Sequence, residues 1–187
     1  MSHRALSKAC AAVKPSLRPA PRAAAIFALL LLTGAATPTP PLAFPEVDHI
    51  VVAKAARTMT LYGVDGSVNV IEHVQLGDAP IGPKHFEGDE RTPEGRFEID
   101  YGNPGSAYHL SLHITYPRPQ DTAFARAQGR SPGGLIFIHG QPNDWVGGAV
   151  GARVPGDWTD GCIALSNEQI EALWEAVADG TPIEIVA

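Results

Sequence analysis

The residues of this 187-residue chain that carry the most specific chemistry are a cysteine and a histidine. Cys162 lies where a Gly- and Asp-containing segment gives way to an apolar run. Its thiol needs a proton acceptor, because an unperturbed cysteine has a pKa of about 8.5 and is mostly protonated at neutral pH. His139 ends the apolar run 135–138 and is the natural candidate for that acceptor, although a structural histidine is the alternative. The pair favours nucleophilic catalysis, with Cys162 as nucleophile and His139 as general base.

The neighbours of these two residues bear on the backbone around the predicted nucleophile. Gly161 permits a close approach of the chain and leaves amide N–H groups to face a developing oxyanion. Gly140 follows the histidine, and we expect it to belong to the same backbone. A carboxylate facing the sulfur raises a thiol pKa, so we expect Asp160 to point away or to bind a cationic substrate group. A turn-capping role is the alternative for Asp160.

Further candidates for substrate binding lie in irregular segments and in one strand. Arg91 and Arg153 are candidate partners for substrate carboxylates, with solvated surface as the alternative. His113 and Ser111 alternate with apolar residues and are expected to line a cleft or to form structural hydrogen bonds. The remaining two candidates precede the predicted nucleophile: Trp158 and Thr159.

Seven histidines also raise the question of a metal site. His109 and His113 are expected on one face of a strand, about 13 Å apart, which is too far for both to bind one ion. Neither an HExxH motif nor a paired-cysteine motif occurs in the sequence. We therefore expect no metal and no cofactor; a site formed by one of these two histidines with His139, Cys162 or an Asp is the alternative.

The elements that must position these residues are mostly strands. Runs of β-branched residues separated by turn-forming residues predict strands at 47–54, 58–62, 67–76, 96–101, 109–115, 135–139 and 182–186, the first three as a meander. Helices are predicted weakly at 121–128 and more firmly at about 167–178, where one apolar face follows Ser166 or Asn167 as N-cap. We expect a mostly β fold, sandwich-like or barrel-like, with one or two short helices.

The N-terminus has the pattern of an export signal. Five basic residues end at Arg22, and the apolar run 23–36 is shorter than the roughly 20 residues that span a bilayer. We expect residues 1–36 to be a signal peptide, cleaved as late as residue 43, or an uncleaved membrane anchor. Residues 37–46 read as a Pro-rich linker and 47–187 as the catalytic domain. The expected location is the periplasm or cell envelope, free or tethered to the inner membrane.

The charge and cysteine counts agree with that expectation. From residue 23 onward, nine basic and twenty acidic residues leave a balance of −11, which disfavours binding to nucleic acid or to anionic membranes. Cys10 lies in the leader, so Cys162 is the one thiol of the exported domain. A single thiol in an oxidising compartment suggests a reactive group or an intermolecular bridge, with a buried inert cysteine as the alternative.

Two motifs together resemble the L,D-transpeptidase catalytic domain of the YkuD type, also called the ErfK/YbiS/YcfS/YnhG family. One is Ile138-His139-Gly140 followed by the stretch from Thr159 to Asn167, and the other is Gly82-Pro83-Lys84 with the stretch from Arg91 to Phe97. The resemblance runs from about residue 47 to residue 186. The paired His-Gly and Gly-Cys elements, in this order, are its specific part.

The resemblance implies a thiol that attacks a peptidoglycan tetrapeptide stem and expels the terminal D-alanine. The resulting thioester passes to an amine of another stem, to a protein lysine or to water. Carried over, Cys162 is the nucleophile, His139 the general base, and the amides around Gly161 the oxyanion hole. An L,D-specific hydrolase on the same scaffold and a non-catalytic wall-binding domain remain alternatives.

Two departures from the family pattern stand out. The family commonly has Ser-His-Gly-Cys, whereas Asp160 here takes the position of that histidine. The interval between His139 and Cys162 is also long, which makes the Gly-rich segment 140–158 a candidate lid.

Overall fold

The computed structural model describes residues 40–145 and 152–187, and these contain eight strands and two helices. They belong to one compact unit, Thr39–Ala187. The strands are β1 Val47–Ala53, β2 Thr58–Gly63, β3 Val68–Glu72, β4 Gly95–Asn103, β5 Ser111–Ile114, β6 Ile136–His139, β7 Ile163–Ala164 and β8 Thr181–Val186. The helices are α1 Pro119–Ala127 and α2 Asn167–Ala176.

All eight strands of the described residues form one sheet in the order β3-β2-β1-β8-β4-β5-β6-β7. The antiparallel meander β1-β2-β3 is confirmed. The C-terminal strand β8 runs parallel to β1 and antiparallel to β4, and so joins the meander to the other half of the sheet. At the far edge, β6 pairs with β5 on one side and with the two-residue strand β7 on the other.

The core follows from alternation along the strands. In β1, Ile50 and Val52 are buried, and in β2, Met59 and Leu61 are buried, which matches the two-residue period of a strand with one covered face. Helix α2 buries Ile170 and Leu173 at the i, i+3 spacing and packs against β5. The mostly β fold with two short helices is confirmed.

The N-terminal boundary of helix α2 is set by a capping box. The Ser166 hydroxyl accepts a hydrogen bond from the Gln169 N–H, and the Gln169 side chain accepts one from the Ser166 N–H at 3.1 Å. This reciprocal capping box fixes Ser166 as the N-cap and ends the ambiguity with Asn167. The helix ends at Ala176, two residues earlier than predicted.

Two local expectations about strands are wrong. The strand predicted from residue 109 begins at Ser111, because His109 has φ 70° and cannot continue an extended strand. His109 and His113 therefore do not share a strand face. The two-residue strand β7 was not predicted, since a run this short has no readable alternation.

Some expectations lie outside the described residues. These are the signal peptide or anchor at 1–36, residues 37–39 of the linker, and residues 146–151 of the candidate lid. Within the described ranges, no helix combines the length and the apolar character needed to cross a membrane.

Candidate active site

The edge formed by β6 and β7 places His139 and Cys162 close together. His139 is the last residue of β6, and Cys162 immediately precedes β7. The two strands are parallel, with Ile138 opposite Ile163. Cys162 is thus level with Phe137, on the face that also carries His139, because alternate residues of a strand share a face.

Two cavities meet at this pair. The larger, of about 500 Å³, and the smaller, of about 250 Å³, share His139, Cys162, Tyr108 and Leu135 in their walls. The larger cavity is charged, with Lys84, Glu87, Glu90 and Asp160 in its lining. The lining of the smaller cavity carries neutral hydroxyl and amide groups, including those of Asn103, Ser106 and Ser111.

The imidazole of His139 is held with one nitrogen ready to accept a proton. Its Nδ1 lies 2.7 Å from the carbonyl oxygen of Gly140. Since a carbonyl only accepts hydrogen bonds, Nδ1 carries the proton and Nε2 is the basic atom of the neutral ring. Burial lowers the pKa of His139 below its ordinary value, against a smaller opposing effect of the Gly140 carbonyl. The rings of Tyr108 and Trp158 lie against it, with centroids 4.6 and 5.6 Å away.

The environment of Cys162 raises the pKa of its thiol. Burial is the main cause of its raised pKa, and the charge of Asp160 adds to it. A hydrogen bond from the Phe137 N–H to Sγ at 3.4 Å and the charge of Lys84 act in the opposite direction. Sγ also lies 3.7 Å from the carbonyl oxygen of Leu135. The two pKa shifts favour the uncharged thiol and the uncharged imidazole.

The backbone before the thiol requires glycine. Gly161 has φ +129°, and a Cβ at this position would lie 2.5 Å from the carbonyl oxygen of Arg91. Its N–H donates to Oγ1 of Thr159 at 3.2 Å, and that hydroxyl donates to the carbonyl oxygen of Cys162 at 2.8 Å. Thr159 thus folds the chain tightly around Cys162.

Gly140 has a similar steric role on the histidine side. A Cβ there would lie 3.0 Å from the carbonyl oxygen of Tyr108 and 2.7 Å from Oδ1 of Asn167. The Gly140 N–H donates to the carbonyls of Tyr108 and Leu110, at 3.0 and 3.2 Å. The absence of a side chain lets the segment carrying Tyr108 pack beside the histidine.

Asp160 is exposed and lines the larger cavity. Its charge raises the pKa of the neighbouring thiol, as expected for a carboxylate near the sulfur. Trp158 and Thr159 line the same cavity. Of the residues predicted from the sequence, these three, the two glycines and the Cys–His pair come together.

Ser111 and His113 separate along β5. Ser111 is paired with His139 across the sheet and lines the smaller cavity. His113 is paired with Phe137 instead, and its Nδ1 lies 2.6 Å from a carboxylate oxygen of Asp100. It stacks on Tyr101 at 4.6 Å and is part of neither cavity lining.

The two predicted arginines also lie outside both linings. The guanidinium of Arg91 lies against Gly82. Arg153 donates to the carbonyl of His73 and to Oε1 of Gln169, and it lines a separate open cavity with Arg57 and Asp157. Burial lowers the pKa of Arg153, with Glu168 acting in the opposite direction.

Lys84 is the site residue that sequence reasoning missed. It is only 5% exposed, and its Nζ donates to Asp89 at 2.9 Å and to the carbonyl of Asp160 at 3.4 Å. The sequence contained it within Gly82-Pro83-Lys84, but nothing in the pattern distinguished it from a solvated lysine. Its importance follows from tertiary packing alone.

Residues 152–158 of the candidate lid form hydrogen bonds with the segment that follows β3. Gln75 donates to the carbonyls of Val154 and Gly156, and the Leu76 N–H donates to Asp157 at 2.8 Å. Residues 152–158 are thus held in place on their own side of the site.

Within residues 40–145 and 152–187, the His, Cys, Asp and Glu side chains do not form a group of three suited to a metal ion.

Comparison with known proteins gives consistent results. The sequence profile of the YkuD family, the L,D-transpeptidase catalytic domain, matches residues 47–185. YafK of Escherichia coli strain K12, whose name assigns it to the L,D-transpeptidases, is 29% identical over 139 residues, covering 69% of this chain and 46% of YafK.

Solved structures show the same relationship. The helical cell shape determining protein Pgp2 of Campylobacter jejuni is 28% identical, with a TM-score of 0.57, over 78% of this chain and 49% of Pgp2. Its K307A mutant gives a TM-score of 0.58 at the same identity, over 78% of this chain and 48% of that chain. The chain spans about half the length of these relatives.

Proposed function

Because the chain belongs to the L,D-transpeptidase catalytic domain family, we propose that it is a cysteine-dependent acyltransferase acting on peptidoglycan stem peptides. The observation that carries the proposal is the placement of Cys162 and His139 at the junction of two cavities. A transfer between two substrates needs a nucleophile that both can reach. A thiol at such a junction meets this need.

The first half of the reaction forms a thioester. Nε2 of His139 takes the proton of the Cys162 thiol while Sγ attacks the carbonyl carbon of the third residue of the donor stem. The tetrahedral intermediate collapses as its carbon–nitrogen bond breaks. The imidazolium returns the proton to the departing amine, and free D-alanine leaves.

The second half transfers the acyl group. An acceptor amine attacks the thioester carbon and gives its proton to His139, and the carbon–sulfur bond breaks. The proton then returns to the Cys162 sulfur. An amine of a second stem gives a 3→3 cross-link, a protein lysine gives a wall-attached protein, and water gives hydrolysis.

The tetrahedral oxyanion needs donors near Sγ. The N–H groups of Gly161 and Cys162 are the candidates, because the glycine backbone turns tightly before the nucleophile. In the described structure the Gly161 N–H donates to Thr159. We infer that the oxyanion competes with this neutral hydroxyl for the same N–H, and a charged acceptor forms the stronger bond.

Product analysis tests the proposal. Purified protein is incubated with disaccharide-tetrapeptides, beside a Cys162→Ala variant, and the products are identified by mass spectrometry. Dimers that have lost one D-alanine, absent with the variant, are expected. Tripeptides without dimers would identify a hydrolase on the same scaffold, and unchanged substrate would contradict the proposal.

Thiol labelling separates the enzyme from a non-catalytic wall-binding domain. If the pair is catalytic, iodoacetamide labels Cys162 in the folded protein, and His139→Ala slows the labelling. Labelling that requires denaturation would favour a structural cysteine.

We also propose that the domain acts outside the cytoplasm. The basic and apolar segments before residue 37 support export, and the acidic balance of the remaining chain disfavours partners with phosphate backbones. Fractionation of cells that produce the full chain tests this. Recovery in the periplasmic or envelope fraction is expected, and recovery in the cytoplasm alone would contradict it.

A further inference from the structure

Lys84 is the one lysine or arginine among the described residues that line the two cavities at Cys162. The larger cavity, which it lines, also carries the exposed carboxylates of Glu87, Glu90 and Asp160. These three carboxylates repel an anionic group that enters the cavity. Lys84 is the group that can bind it.

The ammonium of Lys84 is fixed in place. Asp89 accepts a hydrogen bond from it, and the same carboxylate accepts the N–H groups of His85, Phe86 and Arg91 at 2.7, 2.9 and 3.2 Å. An ammonium has three N–H donors, and Asp89 and the Asp160 carbonyl are its two acceptors among the described residues. A third donor remains for a ligand in the cavity.

The position of Lys84 relative to the nucleophile is also defined. It donates to the carbonyl of Asp160, two residues before Cys162, and its charge lowers the pKa of that thiol. It therefore lies on the side of the cavity where the scissile bond must be placed. Lys84 and Cys162 thus line the same cavity.

We propose that Lys84 binds the terminal carboxylate of the D-alanine that leaves the donor stem, so that the larger cavity holds the leaving group. This inference rests on the proposed function. In such a donor, the free carboxylate is separated from the scissile nitrogen by one carbon atom, so a thiol at the scissile carbonyl places the carboxylate close by. A charge-assisted bond from a buried lysine supplies both affinity and orientation.

The arginines that sequence analysis suggested for this task do not line either cavity at Cys162. Arg91 lies against Gly82, and Arg153 is held by His73 and Gln169 at a separate cavity. The assignment to Lys84 thus replaces an expectation based on composition with one based on position.

The test compares two donor substrates that differ only at the carboxylate. One tetrapeptide ends in D-alanine and the other in D-alaninamide, and release of the terminal residue is measured as kcat/KM. The wild-type protein is expected to prefer the carboxylate by about 10- to 100-fold, the usual range for a hydrogen bond to a charged group. Lys84→Met is expected to reduce this preference to near one, and Lys84→Arg to retain part of it.

The ratio of the two rates isolates carboxylate binding from other effects of Lys84. A change in the thiol pKa or in the surrounding loop slows both substrates alike and cancels in the ratio. Arg130→Met is the matched control, because this exposed cation lies over Phe86, outside both linings, and its loss should leave the preference intact. If Lys84→Met does not fold, Lys84→Gln, which keeps a donor for Asp89, is judged by the same ratio.

The outcomes distinguish failure of the Lys84 assignment from failure of the proposed acyltransferase function. Equal rates on both substrates for the wild type, or an unchanged preference in the folded Lys84 variant, would overturn the assignment while leaving the acyltransferase intact. Failure to release the terminal residue from either substrate would overturn the proposed function itself.

Discussion

At the residue scale, the state of the Cys162 and His139 pair is set by burial. Burial penalises the charged form of each group, which raises the pKa of the thiol and lowers that of the imidazole. Each shift favours the uncharged partner. The base is thus ready at neutral pH, while the nucleophile becomes a thiolate only when its proton passes to Nε2.

This pair predicts a broad pH profile for kcat/KM. Activity is lost as the pH falls through the pKa of His139, which burial lowers below its ordinary value, because the protonated ring accepts no proton. Activity is lost on the alkaline side as the pH passes the pKa of Cys162, which burial raises, since no proton remains for the leaving amine. Iodoacetamide alkylation that is already maximal at pH 6 would instead indicate a thiolate–imidazolium pair and contradict this account.

Asp160 gives a second prediction at this scale. Asp160→Asn removes a negative charge that raises the thiol pKa. The midpoint of alkylation against pH should therefore move to lower pH. Asp179→Asn, at the exposed turn after α2, is the control and should leave the midpoint in place. A midpoint that moves equally in both variants would assign the effect to net charge.

Gly161 gives a third prediction, based on sterics. Gly161→Ala combines a left-handed backbone with a Cβ 2.5 Å from the Arg91 carbonyl, so it should lower the free energy of unfolding and reduce kcat. Backbone strain of this kind costs about 1–3 kcal/mol. Gly180→Ala has φ +90° and nothing within 4 Å of the added Cβ, so it isolates the strain from the contact. Denaturation gives the free energy of unfolding of each variant, and turnover gives its kcat. Equal kcat values for the two variants would show that the contact with the Arg91 carbonyl does not matter for turnover.

At the element scale, a buried lysine joins β1 to the loop that forms one wall of the larger cavity. Lys54 follows β1 and is 2% exposed, and its Nζ donates to the carbonyls of Gly82 and Thr92 and to Glu94, at 2.6, 3.0 and 2.8 Å. Lys84 and both glutamates of the cavity lie between these attachment points. The sheet thereby fixes a loop rich in Gly and Pro without a strand of its own.

The fourth prediction concerns this attachment. Lys54→Met leaves two carbonyls and the partly exposed Glu94 without their donor, and an unsatisfied buried polar group costs about 1–3 kcal/mol. Arg96→Met breaks the exposed pair with Glu184 across β4 and β8, for which about 1 kcal/mol or less is expected. Urea denaturation of the two variants provides the comparison. A similar loss of stability in both would mean that Lys54 does not hold the loop.

The same scale shows what the sequence could predict. Alternation of β-branched residues located seven of the eight strands in the described residues, and the apolar spacing in α2 located that helix. Strand β7 is too short for a pattern, and it exists because Ile163 and Ala164 pair with the end of β6. Lys84 was missed for a similar reason, since its burial depends on Asp89 and Asp160, which only the tertiary fold places against it.

At the scale of the whole molecule, the site lies at the β6–β7 edge of the sheet, and strand β8 joins the two halves of that sheet. Strand β8 lies between β1 and β4, and so joins the meander to the half of the sheet that carries the site. The cavities at this edge are lined by residues from Lys84 to Cys162. Local motifs identified the His-Gly and Gly-Cys elements, whereas the two cavities required the assembled sheet.

The covalent intermediate tests the central claim most directly. The protein is mixed briefly with a tetrapeptide donor whose amines are acetylated, so that no acceptor amine is present, and its intact mass is measured beside that of Cys162→Ala. The account predicts an increase equal to the donor minus D-alanine, located on Cys162 by peptide mapping and absent from the variant. Release of D-alanine at the same rate by Cys162→Ala, or an adduct on another residue, would contradict it.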